Sequence, residues 1–269
     1  MIPKTIHYCW FGGNPLPEFA EKCIASWKKY CPDYTITEWN ETNYEINKCP
    51  EFVQQAYKAG KWAFVSDYAR LQIIDEHGGV YLDTDVELVK NIDILLKNTA
   101  YFGFDISANQ VNTGLGFGAE SETPILYDLM LPYHEMRFTY DPGALEKLLC
   151  NKVNSKVFLH YGLVENGLEQ NIKGNVHVYP SDYFCPIDFR TGELNLTKNS
   201  FSIHHFSTSW MDKANKNLHQ LRIDYKNKYG ASKGKIVYIL YLVFHFYTVC
   251  IKNFGWKGTI NKFKKMLKN

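Results

Sequence analysis

The sequence predicts an α/β protein whose sheet delivers acidic residues at one edge, and three observations carry that prediction. A strand pattern, a helical pattern and a second strand pattern follow one another at the start of the chain, the opening of a βαβ layout. The glycine pair Gly78-Gly79 then stops a long helical stretch and releases the short apolar run Val80-Tyr81-Leu82, β-branched and aromatic as a buried strand is. That run ends in Asp83-Thr84-Asp85, where an open α/β sheet has its ligand crevice.

Residues 5–10 read as the first strand, closed by the turn-rich Phe11-Gly12-Gly13-Asn14-Pro15. Pro17 opens a helix over 18–30, with Phe19, Cys23 and Trp27 four apart on one face. Pro32-Asp33 turns the chain into a second strand, 34–39, and a further helical stretch covers 51–59. Residues 61–77 read as a long, mostly buried helix, in which Trp62, Val65, Ala69, Leu71, Ile73 and Ile74 leave little polar surface. Asp67 and Arg70 share one face of it. They are either a surface ion pair, worth roughly a few tenths of a kcal/mol, or a pair presented at the sheet end.

Beyond Asp85, residues 86–89 and 101–105 read as strands and 93–97 as a short helix. Residues 109–118 are glycine-spaced, but Gly114-x-Gly116-x-Gly118 has the wrong spacing for a dinucleotide fingerprint. Close approach of backbone to a ligand is the reading left for it. Residues 124–133 and 143–150 read as helices, and 158–160, 176–179 and 201–205 as short strands. The last of these holds His204 and His205, and imidazole suits borderline divalent ions.

A chain of 269 residues with 45% hydrophobic content buries a sizeable core. The net charge of +2 gives no argument for nucleic acid. The charge is segregated: residues 233–269 hold eight lysines and no acid, which leaves residues 1–232 at −6. The expected division is a catalytic domain over 1–232 and a basic, apolar-aromatic tail over 233–269. Residues 236–251 are apolar or aromatic except His245 and Thr248, shorter than the ~20 residues that span a bilayer. They read as an amphipathic helix at an anionic membrane surface, or as a helix packed on the core. Seven cysteines, odd in number and without a Cys-x-x-Cys, read as free thiols of a reducing compartment. With no apolar leader at the N-terminus, the expected location is the cytoplasm, peripheral on the inner face of the membrane.

Asp-x-Asp alone is common, and a solvated turn is the ordinary explanation. At the end of a buried strand, however, two carboxylates suit a hard divalent cation, Mg²⁺ or Mn²⁺, which takes one or two carboxylates together with substrate phosphate oxygens.

Four blocks in order, Ile2 to Trp10, Ser66-Asp67-Tyr68-Ala69-Arg70, Gly78 to Asp85 and His204 to Trp210, resemble glycosyltransferase family 32. That DXD-containing group includes bacterial capsule and lipopolysaccharide enzymes, yeast initiating mannosyltransferases and, distantly, clostridial glucosylating toxins. The resemblance brackets residues 2–210 and implies a GT-A fold with a mixed central sheet. It also implies transfer from a nucleotide sugar with retention of configuration. On it, Trp10 stacks on the donor base, and Asp67 and Arg70 hold sugar hydroxyls. Asp83 touches ribose and sugar, Asp85 binds the metal, Asn112 contacts the sugar and Trp210 covers the diphosphate. Asp83, Asp85 and Arg70 are the expected catalytic set. Where the toxins carry a glutamate ligand, this chain has His205, the second expected metal ligand beside Asp85, and Thr208 replaces a serine. The aromatic after the first strand favours UDP, and a glycan or lipid-linked acceptor fits the basic tail. Two rivals remain: a haloacid-dehalogenase-like phosphatase using the Asp-x-Asp, and a non-catalytic sugar-binding protein with aromatic platforms.

Overall fold

The computed structural model describes residues 1–106, 109–139, 146–207, 213–230 and 232–244. The chain divides into two compact units, Met1–Trp210 and Met211–Asn269. The first opens with β1 (Thr5–Cys9), α1 (Glu18–Tyr30), β2 (Thr35–Trp39), α2 (Glu51–Lys58), α3 (Trp62–His77), β3 (Gly79–Tyr81) and β4 (Val86–Leu88). It continues with β5 (Ala100–Asp105), β6 (Gln110–Val111), β7 (Phe117–Ala119), α4 (Pro124–Glu135) and α5 (Cys150–His160). β8 (Gln170–Ile172), β9 (Val176–Tyr179), α6 (Ser181–Phe184) and β10 (Ser202–His204) close it.

The sheet is mixed, in the order β2-β1-β3-β7-β5-β9-β8, with β6 beside β5. β1 runs parallel to β2 and β3; β7 is antiparallel to both β3 and β5, so β3 and β5 point the same way. Trp10, Asp83 and Asp105 therefore follow or end strands that leave the sheet at one edge. A separate antiparallel ribbon pairs β4 with β10, His204 opposite Val86.

Alternation along the strands divides the core into two layers. In β3, Val80 joins Ile24 and Trp27 of α1 on one face, whereas Tyr81 joins Phe64, Val65 and Ile74 of α3 on the other. The first layer is tied to the ribbon by the Trp27 indole, which donates to the Val86 carbonyl at 2.7 Å. The second is thickened by α4 and α5, whose Tyr133 and Phe158 are fully buried.

Two sequence expectations are corrected. Residues 158–160 form the last turn of α5, not a strand: Cys150, Asn154 and Phe158 recur at helical spacing on its buried face. Of 143–150, Glu146–Leu148 is a 3₁₀ turn, Cys150 opens α5, and 143–145 lie outside the described residues. The six described cysteines are free and buried.

The second unit contains α7 (Lys213–Tyr229) and a helix over 232–244; residues 245–251 of the expected amphipathic stretch lie outside the described residues. No helix among the described residues is long and apolar enough to cross a membrane.

The turn from α3 into β3 positions everything downstream. Gly78 (φ +64°) caps α3, its N–H donating to the Ile74 carbonyl, and Gly79 (φ +108°) starts β3. A Cβ on Gly79 would meet the Thr5 carbonyl at 2.8 Å and His7 Nε2 at 3.0 Å. His7 locks this corner. Its Nδ1 accepts from the Trp39 indole at 3.0 Å, which leaves Nε2 to donate to the Gly78 carbonyl at 3.1 Å. Burial holds the imidazole neutral and pushes its pKa down to about 4.

A depressed histidine contributes stability that is present above its ordinary value of 6.5 and is lost as pH falls towards about 4. The contribution is about 3 kcal/mol. Urea midpoints taken between pH 7 and pH 4 should fall more steeply for the wild type than for His7→Gln, whose amide keeps the donor to Gly78 without a titrating ring. Equal slopes would remove His7 from the acid sensitivity of the fold.

Candidate metal and donor site

Asp67 and Arg70 lie on α3 and are buried, so the surface-pair alternative does not hold. Arg70 Nη2 lies 3.0 Å from Asp67 Oδ1 and 3.2 Å from Asp83 Oδ1, bridging the helix to the turn after β3. Its Nε donates to the Ser66 carbonyl at 3.0 Å, and its guanidinium stands 5.0 Å over the Tyr81 ring. Arg70 Nη1 is buried and has no hydrogen-bond partner among the described residues. Removing one member of a buried ion pair leaves an uncompensated charge and costs about 3–5 kcal/mol, so neither partner of this bridge can be lost cheaply, and Nη1 remains a spare donor.

Asp83, Asp85 and His204 each offer a ligand atom, and these atoms lie within 4.8 Å of one another. The two aspartates are held differently. Asp83 Oδ1 accepts from the Tyr81 hydroxyl at 2.9 Å and faces Arg70. Asp85 Oδ2 accepts from both the N–H and the hydroxyl of Ser207 at 2.8 Å, while its Oδ1 lies 3.3 Å from His204 Nε2. Each carboxylate thus has one oxygen anchored.

Their acidities are driven apart. Burial raises the Asp83 carboxyl despite Arg70. At Asp85 burial also opposes ionisation, but His204 and Ser207 outweigh it and hold the carboxyl well below the usual range. His204 is raised: burial works against its charge and is overcome chiefly by Asp85. Behind them, burial pushes Asp67 up to about 6, against the pull of Arg70.

Two carboxylates and an imidazole form a donor set that suits Mn²⁺ or Mg²⁺, with the nitrogen favouring the softer Mn²⁺. The residues fit such an ion. It would relieve the crowding of two buried carboxylates, and the second ring nitrogen of His204, Nδ1, has no hydrogen-bond partner among the described residues.

Asn112, expected at the donor sugar, caps a 3₁₀ turn at the same edge. Its Oδ1 accepts from the Gly114 N–H at 2.9 Å and from the Cys150 thiol at 3.3 Å; its Nδ2 donates to Asp105 Oδ2 at 3.3 Å. Gly114 is where backbone packs against the site. A Cβ there would meet Asp83 Oδ2 at 2.9 Å and Arg70 Nη1 and Asn112 Oδ1 at 3.1 Å. Trp10 follows β1, half-buried, its indole donating to the Asn14 carbonyl at 2.6 Å.

The geometry brings Asp67, Arg70, Asp83, Asp85 and Asn112 into one network. It does not bring His205 there: that imidazole lies 2.9 Å from Glu87 Oε2 and edge-on to Phe19, and His204 takes the place beside Asp85. Thr208 and Trp210 lie outside the described residues. Sequence reasoning passed over Tyr81 and Ser207 as site residues, read the Gly114 segment only as a close approach of backbone, and chose His205 over His204 as the ligand. The pairing of β10 with β4 places His204, and its register is a tertiary property.

Residues 17–102, the Asp-x-Asp included, match the family described as "Glycosyltransferase sugar-binding region containing DXD motif". An uncharacterized glycosyltransferase, L373, of Acanthamoeba polyphaga mimivirus is 29% identical over 129 residues, 43% of this chain and 50% of that relative. The chain therefore spans half the length of the curated relative it matches. Among solved structures, the PaToxG glycosyltransferase is 19% identical with a TM-score of 0.48, covering 59% of this chain and 69% of that one. A glycosyltransferase involved in glycosylation of the major capsid of PBCV-1 is 14% identical with a TM-score of 0.43, covering 80% and 97%. The sequence match over residues 17–102 and the Asp-Asp-His cluster at the sheet edge make this chain glycosyltransferase-like.

Proposed function

We propose that this protein is a metal-dependent, retaining glycosyltransferase. It moves a hexose or N-acetylhexosamine from a nucleotide sugar, UDP-linked, to a cell-surface polysaccharide or lipid-linked oligosaccharide. The observation that carries the reading is the convergence of Asp83, Asp85 and His204 within 4.8 Å, beside a buried arginine with a spare N–H. A divalent cation held by that cluster supplies Lewis-acid stabilisation of the departing diphosphate.

The remaining roles belong to the chain. Trp10, at the end of β1, offers an indole face to the base. Arg70 Nη1 donates to a sugar hydroxyl or phosphate oxygen, and Asp67 accepts from a second hydroxyl, both fixed in advance by their mutual bridge. Asp83, with Oδ1 held by Tyr81 and Arg70, keeps Oδ2 towards the cluster, and Asn112 faces the sugar. Trp210 covers the diphosphate and excludes water.

Transfer breaks the bond from the anomeric carbon to phosphate oxygen and forms one from that carbon to the acceptor oxygen. In the same-face substitution we favour, the acceptor proton passes to the departing phosphate. The nearby carboxylates stabilise the oxocarbenium character of the transition state. The basic C-terminal segment, 233–269, brings this chemistry to the inner face of an anionic membrane, where the work would serve capsule or lipopolysaccharide assembly.

Hydrolysis measured across a panel of nucleotide sugars with Mn²⁺ should select one UDP-sugar, and chelation should abolish the signal. Asp85→Asn keeps the side-chain shape and should lower turnover by about 10²–10³-fold, the order of one lost electrostatic stabiliser. It should also remove Mn²⁺-dependent nucleotide binding in calorimetry, while the circular dichroism spectrum stays that of the wild type. Wild-type turnover in Asp85→Asn would sink the metal reading. Metal-independent binding of free glycan without donor binding would support the lectin, and release of phosphate from simple phosphomonoesters the phosphatase.

A further inference from the structure

The second unit presents a surface that the transfer chemistry does not use. α7 ends at Gly230 (φ +79°), and the helix over 232–244 returns against it. Gly234 marks the crossing: a Cβ there would meet Lys226 Cα and the Tyr225 carbonyl at 2.6 Å, so only a glycine lets the two backbones come this close. Tyr225 and Tyr241 face each other across the pair, ring centroids 6.0 Å apart. The result is a helical hairpin with a defined inner side.

Its outer side is apolar. From Ile236 to Phe244 the helix has no charged residue, and Ile236, Ile239, Leu240, Val243 and Phe244 recur at i, i+3, i+4, i+7 and i+8. Each is between 47% and 70% exposed. A contiguous stripe of this kind marks an interaction surface. Charge narrows the partner. Residues 211–269 hold thirteen Lys and Arg against Asp212 and Asp224, a net +11, while residues 1–210 carry −9. Two copies of a +11 unit repel one another, which disfavours self-association through the stripe. Nucleic acid would use the lysines but not an aliphatic face. An anionic bilayer uses both: the stripe enters the headgroup–acyl boundary while the lysines meet lipid phosphates.

We propose that the hairpin is an interfacial membrane anchor whose inserted face is Ile236, Ile239, Leu240, Val243 and Phe244, with Gly234 setting the angle at which that face is presented. This deepens the membrane part of the functional reading and rests on it, but not on the transfer chemistry.

The test uses the full chain and vesicles of phosphatidylcholine with or without the anionic lipid phosphatidylglycerol, whose surface charge attracts basic segments. The wild type should sediment with the anionic vesicles and remain in solution with the neutral ones. Leu240→Glu/Phe244→Glu should weaken partitioning by about tenfold or more, as loss of two half-buried aliphatic or aromatic groups requires. Its melting temperature and its hydrolysis of the soluble donor should stay unchanged. Lys233→Glu/Lys235→Glu should weaken binding to the anionic vesicles and lower its salt sensitivity, since fewer lysines remain to be screened. Equal sedimentation of the wild type and the stripe variant would overturn the proposal. So would a wild type that ignores anionic vesicles, or a dimer in light scattering that the stripe variant dissolves. Donor hydrolysis scores the transferase reading separately.

Discussion

The Arg70 guanidinium, buried between Asp67 and Asp83, is the constraint on which the rest of the first unit depends. A long helix and the turn after a strand meet there through a single charged group, so α3 and β3 cannot slide against each other without breaking an ion pair in a low-dielectric setting. The preceding corner is built to the same tolerance. Gly78 and Gly79 take backbone conformations open to glycine, and His7 seals them with two directed hydrogen bonds. Gly114 extends this economy of space to the far side, where a methyl group would push on Asp83 and Arg70 together.

The two aspartates of the Asp-x-Asp are not equivalent, and the difference follows from what each faces. Asp83 answers a permanent cation and a phenol, and its charge is tempered by burial. Asp85 answers an imidazole and a serine that supplies two donors, and it stays ionised. One residue of separation moves the second carboxylate from the α3 side of the turn to the β4–β10 ribbon. The ribbon is therefore part of the site: its pairing brings His204 to Asp85, and the backbone N–H of His205 donates to the Asp85 carbonyl.

The α3–β3 passage was legible in the sequence because glycine, strand propensity and acid follow one another without interruption. The helix over 18–30 was equally plain, since proline precedes it and Cys23 and Trp27 recur at helical spacing, although Phe19, expected on the same face, is exposed. α5 was not: Phe158-Leu159-His160 seen alone has strand-like residues, and its helical period shows only when Cys150 and Asn154 are counted with it. The same limit explains the histidines. His204 and His205 are chemically identical in the sequence, and only the antiparallel register with β4 sends one to Asp85 and the other to Glu87. Arg70 was visible beside Asp67, three residues away. Its second partner, Asp83, lies thirteen residues on and across a reversal of the chain.

Under the proposed reaction, local charge gives this site a reason to take up a divalent cation. Three carboxylates, Asp67, Asp83 and Asp85, stand against one guanidinium and one imidazole, so with His204 protonated the cluster is still net negative. The surrounding body, at −9 over residues 1–210, reinforces that sign. A nucleoside diphosphate, the proposed leaving group, carries negative charge of its own, and a buried, negative cluster repels it. Arg70 alone cannot reverse the balance, because Asp67 and Asp83 already share its charge. In the proposed reaction, a cation held by Asp83, Asp85 and His204 would reverse it, where the diphosphate would lie. The acidic cluster is thus a poor anion site by itself; with a cation held as proposed it would become a good one, and donor affinity would then be coupled to the metal.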